Sequence, residues 1–167
     1  MDPFLLGIFQ THVRAQCLYV INGYIALVAA LQGQDKDRAW EAIQQIVVSA
    51  ANVSKLLWGQ RGSRAADRKD LRDSLGVLDK SPMRSPDMRN HFEHIDERID
   101  RWWADSPNHL MADANIGPYP ITRSFATNET FRHLDSTTGS LWFWGESYDL
   151  PAIVKEAQRI YAHQPLA

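Results

Sequence analysis

A chain of 167 residues is long enough to bury a substantial core and too short for several domains of ordinary size. With 44% hydrophobic and 23% charged residues it has the composition of a folded protein, and a formal charge of −2 offers no bulk attraction to nucleic acid or an acidic membrane. Any RNA contact would need a local basic patch. The single cysteine, Cys17, excludes a disulfide within the chain and sits in an apolar run, where it reads as a small buried hydrophobe.

The first predicted helix runs from about Pro3 to Gln32, with Pro3 in the first turn and Gly33 as its stop. Leu18, Ile21, Ile25 and Val28 give its core spacing, although the second half is apolar on most sides and calls for neighbours or a partner to cover it. The run Cys17–Leu31, interrupted by Asn22 and Gly23, is too short to span a bilayer, and Met1-Asp2 reverses the basic start of a signal peptide. The expected setting is therefore the cytoplasm, with no membrane partner. Asp35 or Asp37 caps a second helix that reaches Trp58, with a stripe of Trp40, Ile43, Ile46, Ala50, Val53 and Leu57. The short turn between the two predicts an antiparallel hairpin.

A shorter third helix spans Arg64 to Leu75, closed by Gly76, in the most basic part of the chain. Its arginines are diluted by Asp67, Asp70 and Asp73, so a solvated face of charge pairs competes with a phosphate-holding rim that includes Arg64 and Arg68. Ser85 as N-cap and Pro86 at the first helical position open a fourth helix that extends to Trp103 and is stopped by Asp105-Ser-Pro107. Beyond it the texture becomes aromatic and turn-rich. Arg123–His133 and Leu141–Tyr148 predict a β-hairpin, with a third strand near His109–Ile116 and Trp142 and Trp144 on one face. A last helix covers Pro151 to His163 with Ile153, Val154, Ala157 and Ile160 inward. The expected architecture is mainly α: a helical bundle over 1–107, then a hairpin and terminal helix over 108–167 packed on it as a single compact unit.

The fourth helix carries the chemistry. Met88, Phe92, Ile95, Ile99 and Trp102 make an apolar stripe, and Asn90, His94, Glu97 and Arg101 fall on the opposite side, at about 100° per residue. No glycine-rich phosphate loop, no Cys-x-x-Cys and no Gly-x-Ser-x-Gly is present, so nucleophilic serine or cysteine chemistry has no support. What remains is histidine chemistry, metal binding or no chemistry. Histidine transfers protons near neutral pH and arginine stabilises phosphate charge, the minimum set for metal-free RNA cleavage.

Arg89-Asn90-His91-Phe92-Glu93-His94 resembles the Arg-x4–6-His motif of HEPN (higher eukaryotes and prokaryotes nucleotide-binding) domains, in which a polar residue follows the arginine. The resemblance covers residues 1 to about 105. It implies a four-helix up-down bundle and a metal-independent endoribonuclease site without cofactor, shared between two protomers. His94 would be the general acid/base, Arg89 the phosphate stabiliser and Asn90 the support of both, with Arg64, Arg68 and Arg101 as substrate-binding residues. It further implies RNA as partner and, where such proteins serve in toxin or defence systems, an antitoxin-like protein. Arg89 and His94 stand about 140° apart on an ideal helix, which favours a site completed by a second copy.

Three other readings stay open. The same fold can bind a nucleotide, RNA or protein without turnover. His91, His94 and Glu97 could supply metal ligands, as part of a metal-dependent helical-bundle enzyme, although they fan out over about 240° of helix. The polar face can also be an ordinary solvated surface, with Glu93–Arg89 and Glu97–Arg101 as i,i+4 pairs and His91 packed against the apolar edge.

Overall fold

The computed structural model describes residues 1–84, 87–106, 109–121 and 129–163, with the side chains of Arg61, Asp87, Met88 and Arg89 outside the description. The chain is mainly helical: 61% of the described residues are helical, with six α-helices and a small four-stranded sheet among them. It divides into two compact units, residues 1–86 with 152–167 and residues 87–151. The division falls at Asp87, ahead of the boundary near 108 expected from composition.

The first unit is built on two long helices whose ends are set by local capping. In α1 (Pro3–Gln32) the Asp2 carboxylate accepts from the Leu5 N–H at 3.1 Å and Pro3 occupies the first turn. In α2 (Lys36–Trp58) Asp35 accepts from the Arg38 N–H at 3.0 Å, and Gly59, at φ +78°, ends the helix. The pair is antiparallel: Gln45 donates to the Tyr19 carbonyl and Asn52 to the Gln16 side chain, partners that run in opposite order along the two helices. Both bonds flank the packed seam.

That seam is Val13, Cys17, Val20 and Leu27 against Ile43, Ile46, Val53 and Leu57, all essentially inaccessible. It is rotated from the expected Leu18–Ile21–Ile25–Val28 spacing, and Ile25 is 62% exposed. A helix apolar on most sides does not select its own buried face. Gly23 does, because a Cβ there would lie 2.8 Å from Ile46 Cγ1, so only glycine admits this approach. Burial pushes the Cys17 thiol up to about 12, in keeping with an inert core residue. By length and composition α1 is apolar enough to cross a membrane, with an 18-residue window of mean hydropathy 1.4. The short run considered in the sequence therefore underestimates the helix as a whole. Core helices pass the same measure.

Turns occupy 63–68, so α3 (Lys69–Ser74) is shorter than expected. Its Arg72 is buried and donates to the carbonyls of Leu57 and Ala65 at 2.9 and 2.7 Å, tying the α2 terminus to the turns that follow it. The last helix, α6 (Leu150–Ala162), buries Ile153, Val154, Ala157 and Ile160 as its periodicity predicts. Within this unit its Glu156 accepts from Ser81 Oγ at 2.9 Å and pairs with Arg159.

The second unit contains α4 (Asp87–Glu93), α5 (Ile95–Asp105) and the sheet. Strands β1 (Asn115–Gly117), β2 (Arg132–Asp135), β3 (Ser140–Phe143) and β4 (Glu146–Asp149) lie in sequence order, with β1 parallel to β2 and the others antiparallel. The expected hairpin around 136–140 is present, and a third strand lies in the region anticipated for it. The run Leu141–Tyr148 is not one strand: it folds back at Trp144-Gly145 into β3 and β4. One sheet face carries Leu134, Leu141 and Phe143, all buried, and the other carries His133 and Trp142. The part of the expected Arg123–His133 strand that covers 123–128 and the capping pair Ser85-Pro86 lie outside the described residues.

Candidate functional site

The helix expected to run unbroken from Ser85 to Trp103 bends at His94. Its φ and ψ are −109° and 37°, yet the backbone bonds continue across it, His94 N–H to the Asn90 carbonyl at 3.0 Å and Arg98 N–H to the His94 carbonyl at 3.2 Å. The result is two short helices, α4 and α5, in register with each other. Asn90 and His94 are both exposed and lie one turn apart across the bend. His94 Nδ1 lies 3.2 Å from Glu97 Oε1, and Nε2 takes no partner among the described residues. A carboxylate on one ring nitrogen fixes the imidazole and leaves the other for proton transfer. Glu97 thus faces His94 and not Arg101, the pairing its i,i+4 spacing suggested. The Arg89 side chain lies outside the described residues.

His91, which sequence reading treats as a packed residue, is that and more. It is 8% exposed, stacks on Phe143 with ring centroids 5.0 Å apart, and places Nε2 3.0 Å from Glu146 Oε2. Arg98 Nε donates to its Nδ1 at 3.3 Å, so Nδ1 is the acceptor and Nε2–H donates to the carboxylate. Tyr148 O–H gives Glu146 a second donor at 2.8 Å. Hydrogen bonds from His91 and then Tyr148 hold the Glu146 carboxyl below its ordinary range. With both ring nitrogens engaged, His91 binds α4 to β4 and α5 and has no lone pair left for catalysis. It points to a different carboxylate from His94, so the two do not converge. Among the described residues no three His, Cys, Asp or Glu gather as a metal site.

Two arginines stand beside this network. Arg98 and Arg101 place their guanidinium carbons 5.6 and 5.7 Å from the centre of the Trp144 ring. Trp144 and Gly145, at φ +49° and +83°, are the two central residues of the β3–β4 turn, whose flanking residues Phe143 and Glu146 pair. A turn with two positive φ angles matches strand twist and ordinarily takes Asn-Gly. A tryptophan there costs about 1–2 kcal/mol of backbone energy. The ring recovers contact by stacking on Phe131 at 5.6 Å and 21°, while its backbone N–H donates to the Thr130 carbonyl at 3.0 Å.

The remaining basic candidates belong to the first unit. Arg64 is exposed and pairs with Asp67 at 3.1 Å, and Arg68 lies over the Phe9 ring at 3.7 Å. Arg64 thus has the charge partner that the solvated-face reading anticipates, whereas Arg68 makes no ion pair among the described residues and buries its Nε without a hydrogen-bond partner. An open groove of about 660 Å³ at the α1–α2 turn is lined by small residues including Ala26, Ala29 and Gly33 and carries no nucleophile or histidine.

Sequence reading missed Arg98, Glu146 and the role of Trp144. Arg98 lies four residues after His94 on the same side, a spacing that could have drawn attention to it, and Gly145 is a usable turn signal. The His91–Glu146 pair spans 55 residues and has no local signature. No protein-family model matches the chain, and no curated protein or solved structure is significantly similar to it.

Proposed function

We propose that the chain is a HEPN-like, metal-independent endoribonuclease acting as a homodimer, with His94 as general acid/base, Arg89 as phosphate stabiliser and Asn90 as their support. The finer fold, a HEPN-like four-helix up-down bundle, belongs to the same proposal. The observation that carries the reading is the exposed His94, oriented through Nδ1 by Glu97 and one turn from the exposed Asn90.

In the reaction, an imidazole takes the proton of a ribose 2′-hydroxyl as its oxygen bonds to the adjacent phosphorus. The bond from phosphorus to the 5′-oxygen breaks, and that oxygen receives a proton from an imidazolium. Two copies about a two-fold axis supply two histidines and two arginines to one cleft, so base and acid can be separate residues. The guanidinium steadies the negative charge that builds on the phosphorane. The products are a 2′,3′-cyclic phosphate and a 5′-hydroxyl.

Incubation with single-stranded and structured RNA in EDTA should give cleavage, lost in both His94→Ala and Arg89→Ala. Cleavage that survives both changes, or that EDTA abolishes, rules the reading out, and a strict monomer by sedimentation at micromolar concentration removes its composite site. A second reading, a non-catalytic dimer that binds a nucleotide, RNA or protein partner without turnover, draws on the Glu97 carboxylate beside His94, which opposes the approach of a phosphate to be cleaved there. Saturable binding with no product distinguishes it.

A further inference from the structure

Among the arginines with described side chains, half make an ion pair, and Arg14, Arg68 and Arg84, which make none, turn to backbone carbonyls or a lone ring. Arg38, Arg64, Arg72, Arg132 and Arg159 each make an ion pair. Arg98 and Arg101 make none among the described residues, although they crowd onto a single indole. Two guanidinium groups repel each other, and an aromatic ring compensates only part of that repulsion. Glu97 faces His94, and Glu146, which feels the Arg98 charge from a distance, takes its hydrogen bonds from His91 and Tyr148. Arg98 spends only its Nε–H, on His91, so its two terminal amino groups stay available, and Arg101 is exposed.

The device that assembles this pair is strained. A tryptophan is held at φ +49° where the turn asks for asparagine or glycine, and what it contributes there is a ring between Phe131 and the two arginines. Position then links the pair to the chemistry. Arg98 and Arg101 follow His94 by four and seven residues, so all three lie on one side of α5. At 1.5 Å per residue they stand about 6 and 10 Å from it along the axis, which is the reach of the phosphates flanking a bond held at His94.

We propose that Arg98 and Arg101, braced on Trp144, form a phosphate clamp for the backbone of single-stranded RNA beside the bond attacked at His94. It rests on the RNA-cleaving reading of His94 and gives that site a polarity, since the strand must run along α5. The clamp reads phosphate and not base, so it carries no sequence preference of its own. Its planar forks suit phosphate oxygens, which lysine in either place would not match.

The test is fluorescence anisotropy of a labelled single-stranded RNA on His94→Ala protein, titrated from about 50 to about 200 mM salt. Arg101→Gln in that background should bind several-fold more weakly at the low-salt end and lose about 0.7 from the slope of log affinity against log salt. Trp144→Asn suits the turn and should keep or raise the melting temperature, yet weaken binding by a similar factor. Affinity and slope unchanged in Arg101→Gln overturn the clamp, as does Trp144→Asn with full affinity. Absence of any binding by the parent protein overturns clamp and nuclease together. Binding with the expected slopes but without cleavage by the unmodified chain refutes the nuclease alone and leaves the clamp standing.

Discussion

The two units spend the same kinds of residue in opposite ways. In the first, Arg72 is buried and satisfies the carbonyls of Leu57 and Ala65, and Arg64 is paired with Asp67. In the second, α5 has no buried residue, its two central arginines make no ion pair among the described residues, and a tryptophan accepts backbone strain to hold them. One unit uses its polar groups to close a structure. The other leaves the polar side of α5 exposed, which the proposed site would use. Stability should therefore respond to the first and chemistry to the second, and each substitution below tests that separation.

The largest effect falls on His94. Its replacement by alanine should lower RNA cleavage by about 10²–10⁴-fold, the usual contribution of a general acid/base, while urea unfolding stays within about 0.5 kcal/mol of the parent. A half-exposed side chain with one partner supports little structure. A large loss of stability would show that the bend at His94 serves the fold.

Arg72→Ala is the converse. It leaves the carbonyls of Leu57 and Ala65 without their donor inside the core and opens space beside Trp58, so unfolding should lose about 3 kcal/mol. Cleavage per folded molecule should not change. If activity falls further than the folded fraction does, the division of labour between the units is wrong.

How much of this was readable beforehand follows the reach of the signals. Helix ends set by a residue and its near neighbours came through: Pro3 and Gly33 for α1, Asp35 and Trp58 for α2, and Pro151, one residue inside the start of α6. The buried face of α1 did not, because an all-round apolar helix offers several equivalent stripes and the choice depends on where Gly23 meets Ile46. The bend at His94 has no proline or glycine to announce it and lies inside an unbroken periodic pattern. The fold-back at Trp144 was hidden because tryptophan favours strands and seldom sits in such a turn. At the candidate site, Asn90, His94 and Arg101 could be placed on one surface from helical spacing alone. The partners that give them meaning, Glu146 for His91 and Trp144 for the arginines, come from 40 or more residues away and only the fold brings them there.

Gly23→Ala probes the first unit more gently. The added methyl meets Ile46 Cγ1 at 2.8 Å and the Ala42 carbonyl at 3.3 Å, an overpacking cost offset in part by the better helix propensity of alanine. A net loss of about 1 kcal/mol in urea unfolding, with unaltered cleavage, is expected. A gain in stability would mean that α1 and α2 separate without cost.

The smallest effect concerns the far side of the sheet, where stability and chemistry meet in one unit. His133 is 1% exposed, donates Nε2–H to the Gly117 carbonyl at 2.9 Å, and has Nδ1 buried without a partner. Its register partners on either side, Asn115 and Trp142, likewise bury a donor nitrogen unpaired. Burial disfavours the imidazolium and lowers the pKa from its ordinary 6.5, against a smaller opposing effect of the Gly117 bond. The unfolded chain therefore binds a proton at a pH where the folded one does not. The stabilisation is complete above pH 6.5 and is lost as pH falls from there through the folded value, with a slope of at most about 1.4 kcal/mol per pH unit for one proton. The paired carboxylates Asp113, Asp135 and Glu146, also held low, begin to act only at more acidic pH. His133→Gln can keep the donor to Gly117 and has nothing to titrate, so its stability should be flat between pH 6.5 and the carboxylate range where that of the parent declines. Equal slopes for the two proteins in that window would place the acid sensitivity elsewhere in the chain.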